Sequence, residues 1–371
     1  MVLEDESGRL HIAGLPLHRH YVTGCILAAL GTEEADGTFR IVATHTAGLP
    51  RQPLRWERDE ITLSRQKQIA PQRERAGKLA IVSGLNLGAE DGNELWLDLL
   101  VEYLTGEAST QDESSKITRL VIAGGSLARG SPILPRDEFE AQKLSAEDEN
   151  ADEPTWYEPE PMACLDEFLC DILPTLPITM LPGARDPTNV ALPQQPIHPT
   201  LLPNTKFYAE PLRESKESLN GFDAVTNPWV GDIDGYRVLG TGGQTVTDLL
   251  KYIKHGKSVD AMENMLQWRC VAPTAPDTLW CYPFQDKDPL MLTECPHIYF
   301  AGCQKKFDKK IIEGPAGQKV LLVSVPKFRL SCEIVLVDME SWDVEVVKLG
   351  AGKAGKEKRA KVRAEEGKEL A

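Results

Sequence analysis

The sequence predicts a mixed α/β protein, a β-sandwich flanked by helices and preceded by a short all-β unit. Three observations carry that prediction. From Lys78 onward, buried apolar runs alternate with segments of helical spacing, the succession of a sheet covered by helices. Towards the C-terminus the pattern changes to strands joined by short turns, so the sheet ends antiparallel rather than doubly wound. Ahead of both, residues 1–50 hold only short strands with turn residues between them.

In the first unit, YVTGCIL (21–27) is expected as one strand and FRIV (39–42) as another, with Asp36-Gly37 supplying the turn. Two or three strands cannot close a barrel or hide their edges, so residues 1–52 read as the closing part of a β-domain. Residues 53–77 are polar and basic and read as a linker. LAIVS (79–83) is an apolar run ended by glycine, ELWLDLLVEYL (94–104) has helical spacing, and LVIA (120–123) is the next strand. MACLDEFLCDIL (162–173) is an amphipathic helix stopped by Pro174, with ITML (178–181) after it. A helix is expected over 245–253, and strands over 297–301, 320–325, 332–337 and 344–347.

The chain has 371 residues and a formal charge of −15, which speaks against wholesale coating of nucleic acid by this chain alone. No apolar run approaches the roughly eighteen residues of a membrane span, so a soluble, intracellular protein is expected. The eight cysteines include no C-x-x-C pair, and reduced, mostly buried thiols are the expectation. Residues 136–160 hold ten acids against Arg136 and Lys143 and read as a solvated insertion. The tail, 351–371, has seven bases and four acids and reads as a solvated tail, with a nuclear-import patch as the alternative.

Ligands gather at the carboxyl ends of strands in α/β sheets. Four such ends are Ser83-Gly84-Leu85-Asn86, Ala123-Gly124-Gly125-Ser126, Leu181-Pro182-Gly183-Ala184-Arg185-Asp186 and Ala301-Gly302-Cys303-Gln304-Lys305. This order resembles the calcineurin-like metallophosphoesterases, whose strands end in D-x-H, G-D, G-N-H-[DE] and G-H-x-H. There, carboxylates and imidazoles hold two divalent cations about 3.5–4 Å apart. The resemblance places Gly84 and Asn86 on the first motif, Gly125 on the bridging aspartate, and Ala184, Arg185 and Asp186 on the third motif. The intermediate histidine falls on Cys270, and the last pair on Cys303 and Lys305. Only Asp186 survives in kind. Two dications carry four positive charges, which one carboxylate beside Arg185 and Lys305 cannot balance, so the site reads as dismantled with neither catalytic nor metal-binding residues. Arg185 is expected to supply covalently the charge once supplied by metal, by neutralising Asp186 or a neighbouring carboxylate.

PGARDPTNVALPQQPIHPTLLP (182–203), TNPWVGDIDGYRVLGTGGQTVTDLLKY (226–252), APTAPDTLWCYPF (272–284) and DPLMLTECPHIYFAG (288–302) narrow the resemblance. They are similar to the small B-subunits of DNA polymerase delta, and the similarity spans residues 1 to about 350 outside the insertion. The resemblance implies a partial OB-fold barrel over 1–52 and an inactivated phosphodiesterase-like domain over 78–350. It also implies a nuclear, non-catalytic subunit of the polymerase in DNA replication and repair synthesis, with no cofactor. Its partners would be the cysteine-rich C-terminal region of the catalytic subunit and a further accessory subunit, with DNA contacted only through the assembled complex.

Two other readings are carried forward. One is an active metallophosphoesterase with rearranged ligands drawn from Asp186, Cys270, Cys303 and His297. The other is a single-strand-DNA module in the N-terminal unit, for which Tyr21 and Phe39 are few aromatics to stack bases. Gly240-Thr241-Gly242-Gly243-Gln244 is expected as a tight strand-to-helix turn rather than a phosphate cradle. His198 and His297 are expected to be structural. Trp229, Trp280, Tyr282 and Phe284 lie in Pro-rich loops and are candidate partner contacts, with packing in the core slightly favoured.

Overall fold

The structure, a computed structural model, describes residues 2–15, 21–57, 77–89, 94–107, 111–128, 159–209, 221–253 and 256–350. Residues 136–158 of the acidic insertion and the tail 351–371 lie outside these.

The N-terminal unit is a four-stranded sheet of β1 (Val2–Asp5), β2 (Gly8–Ala13), β3 (Leu27–Glu33) and β4 (Phe39–Thr46), in the order β1-β2-β4-β3. The Asp36-Gly37 turn forms, with the Gly37 N–H donating to Glu34 O at 3.0 Å and Asp36 Oδ1 accepting from the Thr38 N–H at 2.9 Å. The strand before it runs over Leu27–Glu33, not over 21–27. A hairpin counts its register outward from the turn, here Glu33 opposite Phe39 out to Leu27 opposite Thr46. Ala28, Ala29 and Gly31 are weak strand formers, and their propensity pointed upstream to Tyr21-Val22-Thr23 instead.

The larger part opens with β5 (Lys78–Val82), α1 (Glu94–Thr105), α2 (Gln111–Ser114), β6 (Ile117–Ala123), α3 (Glu160–Ile172) and β7 (Ile178–Leu181). Then come α4 (Lys206–Ala209), β8 (Phe222–Ala224), β9 (Trp229–Ile233), β10 (Tyr236–Thr241), α5 (Gln244–Tyr252) and α6 (Ser258–Trp268). β11 (Ile298–Gln304), β12 (Asp308–Glu313), β13 (Lys319–Pro326), α7 (Phe328–Ser331), β14 (Glu333–Asp338) and β15 (Val344–Lys348) complete it. One sheet has the order β15-β14-β5-β6-β7-β8 and the other β12-β13-β11-β10-β9. Parallel pairing holds from β5 to β8 and across β10, β11 and β13, and the outer strands β9, β12, β14 and β15 pair antiparallel.

Strand alternation sorts the core into three layers of apolar contact. Leu79, Ile81, Val121 and Ala123 of the first sheet face Val238, Ile298, Phe300, Leu321 and Val323 of the second. On the far side of the first sheet, Ala80, Val82, Leu120 and Ile122 pack under Leu100 of α1 and Leu165, Phe168 and Leu169 of α3. Leu239, Tyr299, Val320 and Leu322 likewise pack under Val246 and Leu249 of α5 and Met262 and Met265 of α6. The result is helix, sheet, sheet, helix.

Residues 47–57 join the two parts by lying along the second sheet, and the remainder of the expected linker to residue 76 lies outside the described residues. The Arg269 guanidinium donates to Gly48 O at 2.8 Å and Ala47 O at 3.1 Å. Gln52 Nε2 donates to Pro296 O at 3.0 Å and Lys319 O at 2.7 Å. Arg55 forks onto Glu340 at 3.1 and 3.0 Å, with its guanidinium 4.4 Å from the Tyr236 ring centre. His297 is buried, accepts the Arg237 N–H on Nδ1 at 2.9 Å and packs edge-on to Tyr236, a structural role.

Phe300 fills the sandwich interior opposite Gly240, where a Cβ would come within 2.2 Å of its ring. Phe300→Ala is expected to cost about 3–5 kcal/mol. Urea denaturation measures this, and a loss below about 1 kcal/mol would mean that the two sheets repack without it.

Candidate functional site

The carboxyl ends of β5, β6 and β7 and those of β10 and β11 meet at one edge of the sandwich. The Gly84 N–H donates to Gly124 O at 2.9 Å, and the Gly124 N–H to Leu181 O at 3.1 Å. A Cβ on Gly125 would stand 2.8 Å from Cys303 Sγ and 3.0 Å from Gly84 Cα, and one on Gly183 would be 2.3 Å from Gly125 N. On Gly302 it would lie 1.9 Å from Ala123 O, and on Gly243 1.9 Å from Gly302 O. Main chain therefore fills the space in which ligand side chains would have to stand. The Gly240–Gln244 segment has the same explanation. Its glycines let α5 start against Gly302.

Asp186 is buried, and both of its carboxylate oxygens accept main-chain N–H groups, from Gly183 at 2.7 Å and Leu127 at 3.0 Å. Burial pushes its carboxyl above the usual range, opposed by hydrogen bonds from Leu127, Gly183, Ser126 and Gly125. Arg185 does not neutralise it. Adjacent side chains on this turn point opposite ways, and Arg185 is exposed, so amide dipoles rather than a guanidinium meet the carboxylate. Ala184 and Lys305 are also exposed. The Asn86 side chain spans Gly125 O at 3.3 Å and Arg329 Nη1 at 3.1 Å once its amide is oriented to satisfy both.

Burial pushes the Cys303 thiol up to about 12, against the pull of Lys327, and its Sγ lies 3.5 Å from Gly124 O. Burial likewise raises Cys270 to about 11, and its electrostatic neighbours are the Asp288 carboxylate and the Cys281 thiol rather than Asp186. A thiol is a metal ligand only as thiolate, which such shifts oppose. His297 precedes β11 and Cys303 lies near its end, so about six residues of strand, roughly 20 Å, separate them. Asp186, Cys270, Cys303 and His297 are thus not brought to one metal, and among the described residues no three His, Cys, Asp or Glu side chains group as ligands.

Residues 79–309 match the B-subunit family of DNA polymerases alpha and epsilon, and residues 1–44 match the DNA polymerase delta subunit OB-fold domain. The chain belongs to the polymerase B-subunit family. The DNA polymerase delta small subunit of Arabidopsis thaliana is 38% identical over 332 residues, covering 88% of this chain and 67% of that protein. The protein of the same name from Saccharomyces cerevisiae is 32% identical over 377 residues, 94% of this chain and 70% of its own length. DNA polymerase delta subunit 2 of Drosophila melanogaster is 33% identical over 350 residues, 94% and 73% of the two chains.

Sequence reasoning missed the amides that lock this B-subunit's strand ends together. Asn227 Nδ2 donates to Gln194 Oε1 at 2.8 Å and Gln244 Oε1 at 2.9 Å, while its Oδ1 accepts the Gly242 N–H at 2.9 Å. Gln194 Nε2 reaches Gly183 O at 3.2 Å. Gln304 Nε2 reaches Gly302 O at 2.8 Å and Gly243 O at 3.3 Å. In sequence these amides sit among Gly and Pro and look like loop residues. Gln194, Asn227 and Gln244 carry one signal, lying in the long motifs of the family resemblance, and Gln304 lies just past the motif that ends at Gly302.

The four candidate aromatics divide. Trp229 lies on edge strand β9, packed over Gly231 and against the sandwich interior. Tyr282 is 61% exposed, Phe284 45% and Trp280 40%, and the Tyr282 and Phe284 ring centres are 5.1 Å apart. Buried Asp248 of α5 holds the turn before them, accepting the Thr274 and Thr278 hydroxyls at 2.5 Å each. Backbone pairing of Leu192 with Trp280 O at 2.8 Å and the Tyr282 N–H at 3.0 Å fixes the stretch from its other side.

Asp186→Ala is expected to cost about 1–3 kcal/mol for each amide it strands. Arg185→Ala is expected to stay within about 0.5 kcal/mol of the parent. Equal losses in chemical denaturation would restore the ion-pair idea. Gly125→Asp, which sets a carboxylate where the metallophosphoesterase resemblance puts the bridging aspartate, is expected to lower stability and to bind no manganese by metal analysis. Stoichiometric manganese in that variant would show an intact cradle.

Proposed function

We propose that the chain is a non-catalytic accessory subunit of the DNA polymerase delta complex, acting in DNA replication and repair synthesis in the nucleus. It holds the cysteine-rich C-terminal region of the catalytic subunit and a further accessory subunit, and in the nucleus it meets DNA only as part of that assembly. Relatives named as small subunits of that polymerase, similar over most of the chain, support the accessory role. The observation that carries the absence of catalysis is the meeting of Gly84, Gly124, Gly125, Gly183 and Gly302 where two-metal chemistry would need carboxylates and imidazoles. The helix–sheet–sheet–helix order with strand ends gathered at one edge is in keeping with a phosphodiesterase-like ancestry. Tyr21 and Phe39 argue against base stacking, since the Tyr21 hydroxyl is held 2.6 Å from Thr44 Oγ1 and Phe39 packs toward Gly31.

Trp280, Tyr282 and Phe284 would be partner anchors, being exposed aromatics on a stretch fixed at both ends. Co-expression with the catalytic subunit's C-terminal region is expected to give one co-eluting species on size exclusion. Trp280→Ala/Tyr282→Ala/Phe284→Ala is expected to weaken capture of one of the two partners by at least about 2 kcal/mol with an unchanged melting midpoint. Full retention of both partners would remove these residues from the interface. No turnover of p-nitrophenyl phosphodiesters is expected with manganese or zinc, and metal-dependent turnover abolished by Asp186→Asn would overturn the non-catalytic reading.

A further inference from the structure

The edge that carries the glycine junction is also ringed by cations. Arg185 follows β7, Lys305 and Lys306 follow β11, and Lys327 follows β13. Arg185, Lys305 and Lys306 are exposed and Lys327 is half-buried. Main-chain geometry brings their loops together. Lys327 lies against Gly84, and its N–H donates to Gln304 O at 3.2 Å; Cys303 lies against Gly125, and Gly183 against Gly124 and Gly125. Many other basic side chains are engaged with acids, as in Arg55–Glu340, Lys78–Glu345, Arg119–Asp223, Lys310–Glu263 and Lys348–Glu333. Among the described residues, none of the four cations on this edge forms a salt bridge. Of the described acids in these loops, Asp186 faces inward onto main-chain amides, and Asp308 pairs with Lys257 at 3.7 Å.

In a chain of net charge −15, this edge thus gathers four cations that form no salt bridge among the described residues. The chemistry fits a repeating anion. Three flexible ammonium groups and one guanidinium, spread over three loops, can each take a phosphate without a shaped pocket. A protein partner would call for an apolar anchor, and none of the exposed large apolar side chains lies in these loops. We propose that this edge is a sequence-independent binding surface for the phosphodiester backbone of nucleic acid, through Arg185, Lys305, Lys306 and Lys327. It would let the subunit steady DNA that passes the assembled polymerase, and it is independent of how the partner subunits are held.

The test uses the full chain and a fluorescein-labelled duplex oligonucleotide, with anisotropy read from 25 to 200 mM salt. Arg185→Glu/Lys305→Glu/Lys306→Glu is expected to weaken binding on the order of tenfold at the lowest salt. It should also lower the slope of log affinity against log salt by about 0.9 for each phosphate no longer neutralised. Lys116→Glu/Lys206→Glu/Lys319→Glu, the same charge change away from this edge, is expected to stay within about twofold of the parent at that salt. The corresponding Gln variant of the first set, with melting curves for all proteins, separates weaker phosphate binding from impaired folding. The proposal is overturned if the parent binds no duplex at the lowest salt, or if both Glu sets weaken binding equally. It is also overturned if a glutamate-rich peptide binds through Arg185, Lys305 and Lys306 while the duplex does not, which would assign the edge to an acidic protein segment.

Discussion

The architecture depends on how closely the main chains approach one another at the strand ends. Two sheets can share an interior as tight as the one around Phe300 only if the loops leaving β5, β6, β7, β10 and β11 pass without side chains between them. Glycine at 84, 124, 125, 183, 243 and 302 makes that possible. The backbone polar groups so enclosed then need partners, because an unpaired buried amide costs about as much as a lost hydrogen bond. Asp186, Gln194, Asn227 and Gln304 are those partners, and the Gln244 amide joins Asn227 to Gln194. The strand ends form a knot of main chain held by one carboxylate and four amides.

Amide-to-carbonyl bonds between the loops make this edge rigid. Rigidity suits a part that presents surfaces to other chains. The Asp248–Thr274–Thr278 contact and the pairing at Leu192 extend the same fixed framework to Trp280, Tyr282 and Phe284. On the other flank, the carbonyls of residues 47 and 48 meet the Arg269 guanidinium, and Gly24 lies against Pro273 O, so the N-terminal sheet is seated on the second part rather than tethered beside it.

The alternation of buried strands and amphipathic helices from Lys78 to Leu181 was legible because strands buried on both faces read as continuous apolar runs, and α1 and α3 repeat near every 3.6 residues. β9 and β12 were not, since edge strands such as Trp229–Ile233 and Asp308–Glu313 mix polar and apolar residues without a clean period. The strand-end positions Gly84, Gly125 and Cys303 could be placed by motif order alone. The packing around Asp186 could not. Arg185 looked like the substitute because it is the only strong cation beside Asp186 in the chain, yet a one-residue step on a turn sends it to solvent.

The sequence by itself determined the layered α/β class, the family and the glycine-rich strand ends, because these are written in local periodicity and in residue types at counted positions. Only the tertiary structure decided that the strand ends close on one another, that amides from four distant segments tie them together, and that four cations from three loops share one edge. Each of these depends on distances between residues far apart in the chain, set when the two sheets close on a common interior, and no local pattern encodes such distances.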